Sequence, residues 1–261
     1  MKERTIETQL GRVTVGSTGQ GPDLVLLHSL LSDRNVFARI VPALETDFTV
    51  HLVDLPGFGG TDLQPARMDA YGDLIGQMLE AGRFGSSTTV LGNGLGGFVA
   101  LATAIHHGNA FDKLIIAGAG AGFPDDEKGP FRAMSATAGE RGMAGVVDVA
   151  VRRIFSEEYL DAHPDELAQR RDVLMRTNVI AFQRACEALS TLDYFDAVTG
   201  IANPTLLVVG SDDTATPPSL VRQLHDLIPN STYIELTGVA HGPQLQDPQG
   251  FVAAISPFLG G

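Results

Sequence analysis

The chain has 261 residues, 44% of them hydrophobic and 19% charged, with a formal net charge of −13. That length suits one large α/β domain, or a domain with an insertion, and the apolar share is enough for a sizeable core. Such acidity repels phosphate backbones and anionic bilayers, so neither nucleic acid nor a membrane surface is an expected partner.

Residues 5–9 and 12–18 alternate weakly about Leu10-Gly11, which predicts a β-hairpin. Residues 23–28 (D-L-V-L-L-H) form a dense apolar run, the mark of a strand buried on both faces. After a loop at 29–33, Val36, Phe37, Ile40, Val41 and Leu44 recur at helical spacing and predict a helix over 35–44. Residues 49–55 read as a second buried strand, closed by the breaker run Pro56-Gly57-Phe58-Gly59-Gly60. A helix is predicted over 71–79 and a strand over 113–117. Further on, 203–210 reads as a strand, 219–228 as a helix, 232–236 as a strand and 251–259 as a closing helix.

Strands alternating with helices predict an α/β fold: a mostly parallel eight-stranded sheet with helices on both faces. Residues 123–196 break the alternation. They hold no convincing strand but carry helical stripes such as Met143, Val146, Val147, Ala150, Val151, Ile154 and Phe155. Residues 160–177 and 179–192 are predicted helices within them. We expect a core of residues 1–122 and 197–261, with 123–196 as an inserted helical cap. Such a cap covers the carboxyl ends of the strands, where open α/β sheets place ligands.

Cys186 is the only cysteine, so no intramolecular disulfide can form and a reducing, cytoplasmic setting is expected. The first residues carry no apolar signal region, and no run approaches the ~18–20 residues of a membrane span. No histidines have H-x-x-x-H or H-E-x-x-H spacing, so no metal is expected, and no cofactor either.

The chain is organised around residues 90–101 (V-L-G-N-G-L-G-G-F-V-A-L), which read as a strand, a tight turn and a helix. That is the nucleophile elbow G-x-S-x-G with Gly94 in place of serine. Gly94 suits a positive φ better than serine does, and it removes the attacking hydroxyl. A dinucleotide loop is the competing reading, but the G-x-G-x-x-G spacing after the first strand and the later acidic residue are missing.

Five stretches, in this order, resemble the α/β-hydrolase superfamily: L-L-H-S-L-L-S-D (26–33), D-L-P-G-F-G-G-T (54–61), L-G-N-G-L-G-G (91–97), P-T-L-L-V-V-G-S-D-D (204–213) and G-V-A-H-G-P (238–243). The resemblance implies Asp213 as the orienting acid and His241 as the base, in the order Gly94, Asp213, His241. It implies an oxyanion hole from the N–H groups of Leu30 and Leu95. Most relatives read His-Gly where this chain has His28-Ser29. Ser29 is either a substrate-binding hydroxyl or a plain turn residue. His28 is expected to support the loop, His51 to lie in the core, and His106, His107, His163 and His225 to be solvated helix residues.

Within the superfamily, residues 181–193, residues 201–218 and the H-S-L loop are similar to 3-oxoadipate enol-lactonases and related lactone or ester hydrolases. Substrates of that kind bear carboxylates, so a cationic pocket residue is implied; Arg34 is the first candidate, with Arg132, Arg176 and Arg184. Losing a triad serine costs about a millionfold in turnover. An ordinary ester or amide hydrolase running through an acyl-enzyme is therefore not expected, and no neighbour of Gly94 in the sequence replaces the hydroxyl. Four readings stay open for a small-molecule site: a His241–Asp213-activated water attacking a small activated ester or lactone, a ligand-binding protein without chemistry, a lyase or isomerase, and an introduced Ser-to-Gly knockout.

Overall fold

The dense apolar runs become strands of one sheet in the computed structural model, which describes residues 1–260. The strands are β1 (Lys2–Thr8), β2 (Gly11–Gly19), β3 (Asp23–Leu27), β4 (Thr49–Val53), β5 (Thr89–Asn93), β6 (Lys113–Ala117), β7 (Thr205–Gly210) and β8 (Ser231–Leu236). Their spatial order is β1-β2-β4-β3-β5-β6-β7-β8. The hairpin β1–β2 is antiparallel and adds to β4 antiparallel, whereas every other pairing is parallel. Parallel strands covered on both faces need apolar residues throughout, and β3 to β7 are buried along nearly their whole length.

The helices, in chain order, are α1 (Val41–Leu44), α2 (Met68–Ala81), α3 (Leu95–His107), α4 (Gly129–Arg141), α5 (Val147–Val151), α6 (Glu157–Ala162), α7 (Pro164–Met175), α8 (Val179–Thr191), α9 (Pro218–Leu227), α10 (Pro243–Gln246) and α11 (Pro248–Gly260). None is long and apolar enough to cross a membrane.

Two predicted helices are interrupted, each at a proline. The helix expected over 35–44 is a 3₁₀ turn, Arg34–Phe37, followed by the short α1. Pro42 has no N–H to give, and its ring would collide with the carbonyl four residues back. The helix expected over 160–177 splits into α6 and α7 at His163, because Pro164 starts a new helix at its first position.

Helices α4 to α8 all lie between β6 and β7. Their segment leaves and re-enters the core at one place: Gly122 bridges Asp193, and the Tyr194 N–H donates to Ala121 O at 2.7 Å. Arg39 of the core reaches this segment by pairing with the buried Glu166 of α7, while its guanidinium also donates to Leu245 O of α10 at 2.6 Å.

Candidate active site

The register brings the carboxyl ends of β3, β5 and β6 to one level, with Leu27 beside Gly92 and Asn93 beside Ala117. The turn after β5 is as tight as its glycines allow. Gly94 has φ 53° and ψ −119°, a conformation that strains any residue with a side chain. A Cβ on Gly96 would lie 2.1 Å from Leu27 O, so only glycine lets α3 start this close to β3. The Gly96 N–H then donates to His28 O at 2.9 Å and ties the elbow to the β3 loop.

That loop is held by His28. Its Nδ1–H donates to Ser29 O at 2.8 Å, and its Nε2 accepts from the Leu55 N–H at 3.2 Å. Burial pushes the His28 pKa down to about 4, against the pull of the Ser29 carbonyl. The ring is thus neutral near pH 7, with its tautomer fixed by its two partners. Its place matches the supporting role expected of it.

Asp213 follows β7 and His241 follows β8. The Asp213 carboxylate accepts from the Ala215 and Thr216 N–H groups, each at 2.8 Å, and from the Thr216 hydroxyl at 2.8 Å. Its Oδ2 also accepts from His241 Nδ1 at 2.8 Å. Burial alone would raise this carboxyl, but the His241 charge and these hydrogen bonds outweigh burial and hold it below the ordinary range. With Nδ1 engaged, His241 Nε2 is the ring's free edge, and Ser29 Oγ lies 3.5 Å from it. A Cβ on Gly94 would stand 2.7 Å from that same Nε2.

A narrow pocket lies in front of His241. Ser29, Leu30, Gly94, Leu95, Thr216 and His241 form its floor, and Phe98, Phe123, Phe131, Met134 and Leu189 its apolar wall. Several of these wall residues come from the segment 123–196. Among the described residues, neither the Leu30 nor the Leu95 N–H has a protein acceptor.

Arg34 is not part of this pocket. It pairs with Glu3 and, at 3.4 Å, with Asp54, and it lines a separate groove with Arg176. Arg132 is exposed, and Arg184 donates to Gln64 O at 2.9 Å. The cation in the pocket wall is Arg153, after α5, which makes no ion pair among the described residues. Neighbouring Arg152, which does pair with Glu157, looks the same in sequence. Only the fold tells the two apart.

Two buried amides were also missed. Asn93 Nδ2 donates to Ala117 O and His241 O, each at 3.1 Å, and Gln244 Nε2 donates to Asn93 Oδ1 at 2.9 Å. They clamp the His241 loop onto the elbow. No sequence signal joins positions some 150 residues apart. Cys186 is fully buried in α8 and its thiol is pushed up to about 12 by burial, so it offers no nucleophile.

Residues 22–248 match the model of the family described as alpha/beta hydrolase fold. The chain is 31% identical to a pimeloyl-[acyl-carrier protein] methyl ester esterase of Aeromonas hydrophila over 254 residues, covering 95% of this chain and 99% of that protein. It is 32% identical to the esterase of the same description from Chromobacterium violaceum, covering 94% and 97%. Among solved structures, an enol-lactonase from Burkholderia xenovorans superposes with a TM-score of 0.91 at 23% identity, covering 99% of this chain and all of that one.

Proposed function

The chain belongs to the alpha/beta hydrolase fold family, and from that premise we propose that it hydrolyses a small activated ester or lactone, with His241 and Asp213 as its general-base pair. The observation that carries this reading is the alignment of Asp213 Oδ2 and His241 Nδ1, which turns the imidazole's Nε2 edge toward Gly94 and the pocket. The similarity to methyl ester esterases supports an ester as the bond that breaks.

In this reaction, His241 Nε2 takes a proton from water as the water oxygen bonds to the carbonyl carbon. Asp213 keeps Nδ1 protonated and stabilises the imidazolium that forms. The N–H groups of Leu30 and Leu95 receive the developing oxyanion. The alkoxide leaves with the proton that His241 carries. Residues 123–196 act as the cap, and their apolar wall limits water at the carbonyl. Arg153 binds an acidic group at the far end of the substrate, the role first assigned to Arg34.

A panel of lactones and activated esters tests this reading, with His241→Ala and Asp213→Asn alongside. Asp213→Asn is expected to lower kcat by about 10⁴, as in other triads where the histidine loses its orienting carboxylate. Turnover untouched by both substitutions would overturn the reading. In H₂¹⁸O, label enters the acid product if the reaction is hydrolysis. Unlabelled product would mark an isomerase or lyase, and ligand-induced thermal shifts without turnover would mark a binding protein.

A further inference from the structure

We infer that Ser29, on the loop after β3, is the nucleophile that residue 94 lacks, so that Ser29, His241 and Asp213 form a triad whose hydroxyl has moved from the elbow to the oxyanion loop. This rests on the general-base reading above and adds a covalent step to it.

The first ground is occupancy. A Cβ built on Gly94 would stand 2.4 Å from Ser29 Oγ and 3.1 Å from Ser29 Cβ. The Ser29 side chain therefore fills the space into which an elbow side chain would project. The second ground is the base. Among the described residues the one hydrogen-bond partner of Ser29 Oγ is His241 Nε2, at 3.5 Å. That distance is long for a hydrogen bond, but catalytic contacts of unliganded sites commonly tighten when substrate binds.

The third ground is how the residue is held. Ser29 O accepts from His28 Nδ1 at 2.8 Å and from Ser32 Oγ at 3.0 Å. The backbone of Ser29 is thus fixed by its neighbours, and its own hydroxyl takes no part in shaping the loop. A serine serving only the turn would use that hydroxyl on nearby backbone groups. Here the residue is 6% exposed and lines the pocket.

The oxyanion hole fits the move. In the elbow pattern one donor is the N–H of the residue after the nucleophile. With Ser29 attacking, that residue is Leu30, already a hole donor, and Leu95 supplies the second N–H from the start of α3.

The step balances as an acyl transfer. Ser29 Oγ bonds to the ester carbonyl carbon while His241 Nε2 takes the hydroxyl proton. The carbon–alkoxy bond breaks, and the alkoxide leaves as the alcohol with that proton. Water then attacks acyl-Ser29, giving its proton to His241. The carbon–Oγ bond breaks, and His241 returns the proton to Ser29. The net change is ester plus water to acid plus alcohol.

The test uses p-nitrophenyl butyrate and a fluorophosphonate probe on the full chain, with Ser29→Ala and His241→Ala. We expect Ser29 Oγ to displace fluoride from the probe and to retain the phosphonyl group, located by peptide mapping, and the rapidly quenched butyrate reaction to leave one butyryl group there. Ser29→Ala is expected to lose both adducts and to cut kcat by about 10³-fold or more, with a circular dichroism spectrum like that of the parent. His241→Ala is expected to lose both adducts as well. Labelling of another residue, no labelling at all, or Ser29→Ala turnover within about tenfold of the parent would overturn the proposal. If His241→Ala abolishes turnover while Ser29→Ala keeps it, Ser29 fails and the activated water survives. If both variants keep it, the general-base reading fails as well. The phosphonate decides the question even if no ester in the panel is turned over.

Discussion

Restoring serine at the elbow by Gly94→Ser alone is expected to damage the protein. The new Cβ would lie 2.4 Å from Ser29 Oγ and 2.7 Å from His241 Nε2, well inside van der Waals contact. Overpacking of this kind costs about 1–3 kcal/mol. The backbone at φ 53° and ψ −119° adds a further strain of about 1–3 kcal/mol once a side chain is present. Their sum, about 2–6 kcal/mol, is a large share of a typical folding free energy of about 5–15 kcal/mol. The double variant Ser29→Gly/Gly94→Ser removes the 2.4 Å contact and leaves only the backbone strain and the imidazole contact. Urea unfolding of the parent, both single variants and the double closes a thermodynamic cycle, in which the effect of glycine on the unfolded state cancels. We expect a coupling of about 1–3 kcal/mol in favour of the double variant. The phosphonate label is expected to move from position 29 to position 94 in it. Additivity within about 0.5 kcal/mol would refute the reasoning, because it would mean that the two side chains do not compete for one space.

Other expectations follow from neighbouring groups. His28 titrates near 6.5 when unfolded and near 4 in the fold, so the unfolded chain binds the extra proton between those values. Stability is then full above about pH 6.5 and falls by about 3 kcal/mol as pH drops to about 4. His28→Asn should flatten that window in urea titrations, and an unchanged slope would refute the assignment. Arg153→Met should raise KM about 10–100-fold for esters that carry a distal carboxylate, the loss of a charge-assisted hydrogen bond, and leave neutral esters alone; equal effects on both classes would remove Arg153 from recognition. Asn93→Leu leaves the His241 carbonyl and the Gln244 amide without their partner. It should cost about 2–4 kcal/mol in stability and lower kcat more than it raises KM. A silent variant would show that the clamp does not position His241.

The strands were legible because parallel strands need unbroken apolar runs, and β3, β4, β6 and β7 stand within a residue or two of their predicted places. The elbow was legible because its glycines answer to close backbone approaches that no other residue tolerates. The helices predicted across Pro42 and Pro164 are broken in the fold, because apolar spacing carries no sign of the N–H that proline lacks. Sequence alone does not tell which arginine lines the pocket beside His241. A guanidinium on the surface and one in a pocket differ only in what packs around them, and Arg34 answers to Glu3 and Asp54 rather than to the pocket.

By itself, then, the sequence determined the α/β architecture, the glycine at the elbow tip and the Asp213 and His241 stretches, because each is written in local pattern and order along the chain. The tertiary structure decided what surrounds Gly94. Ser29 and His241 are 212 residues apart, and no periodicity relates them. They meet because the parallel register sets the ends of β3 and β5 level and Gly96 lets α3 close on the β3 loop. In sequence the site reads as a triad with its hydroxyl missing, and in three dimensions a different serine stands in that space.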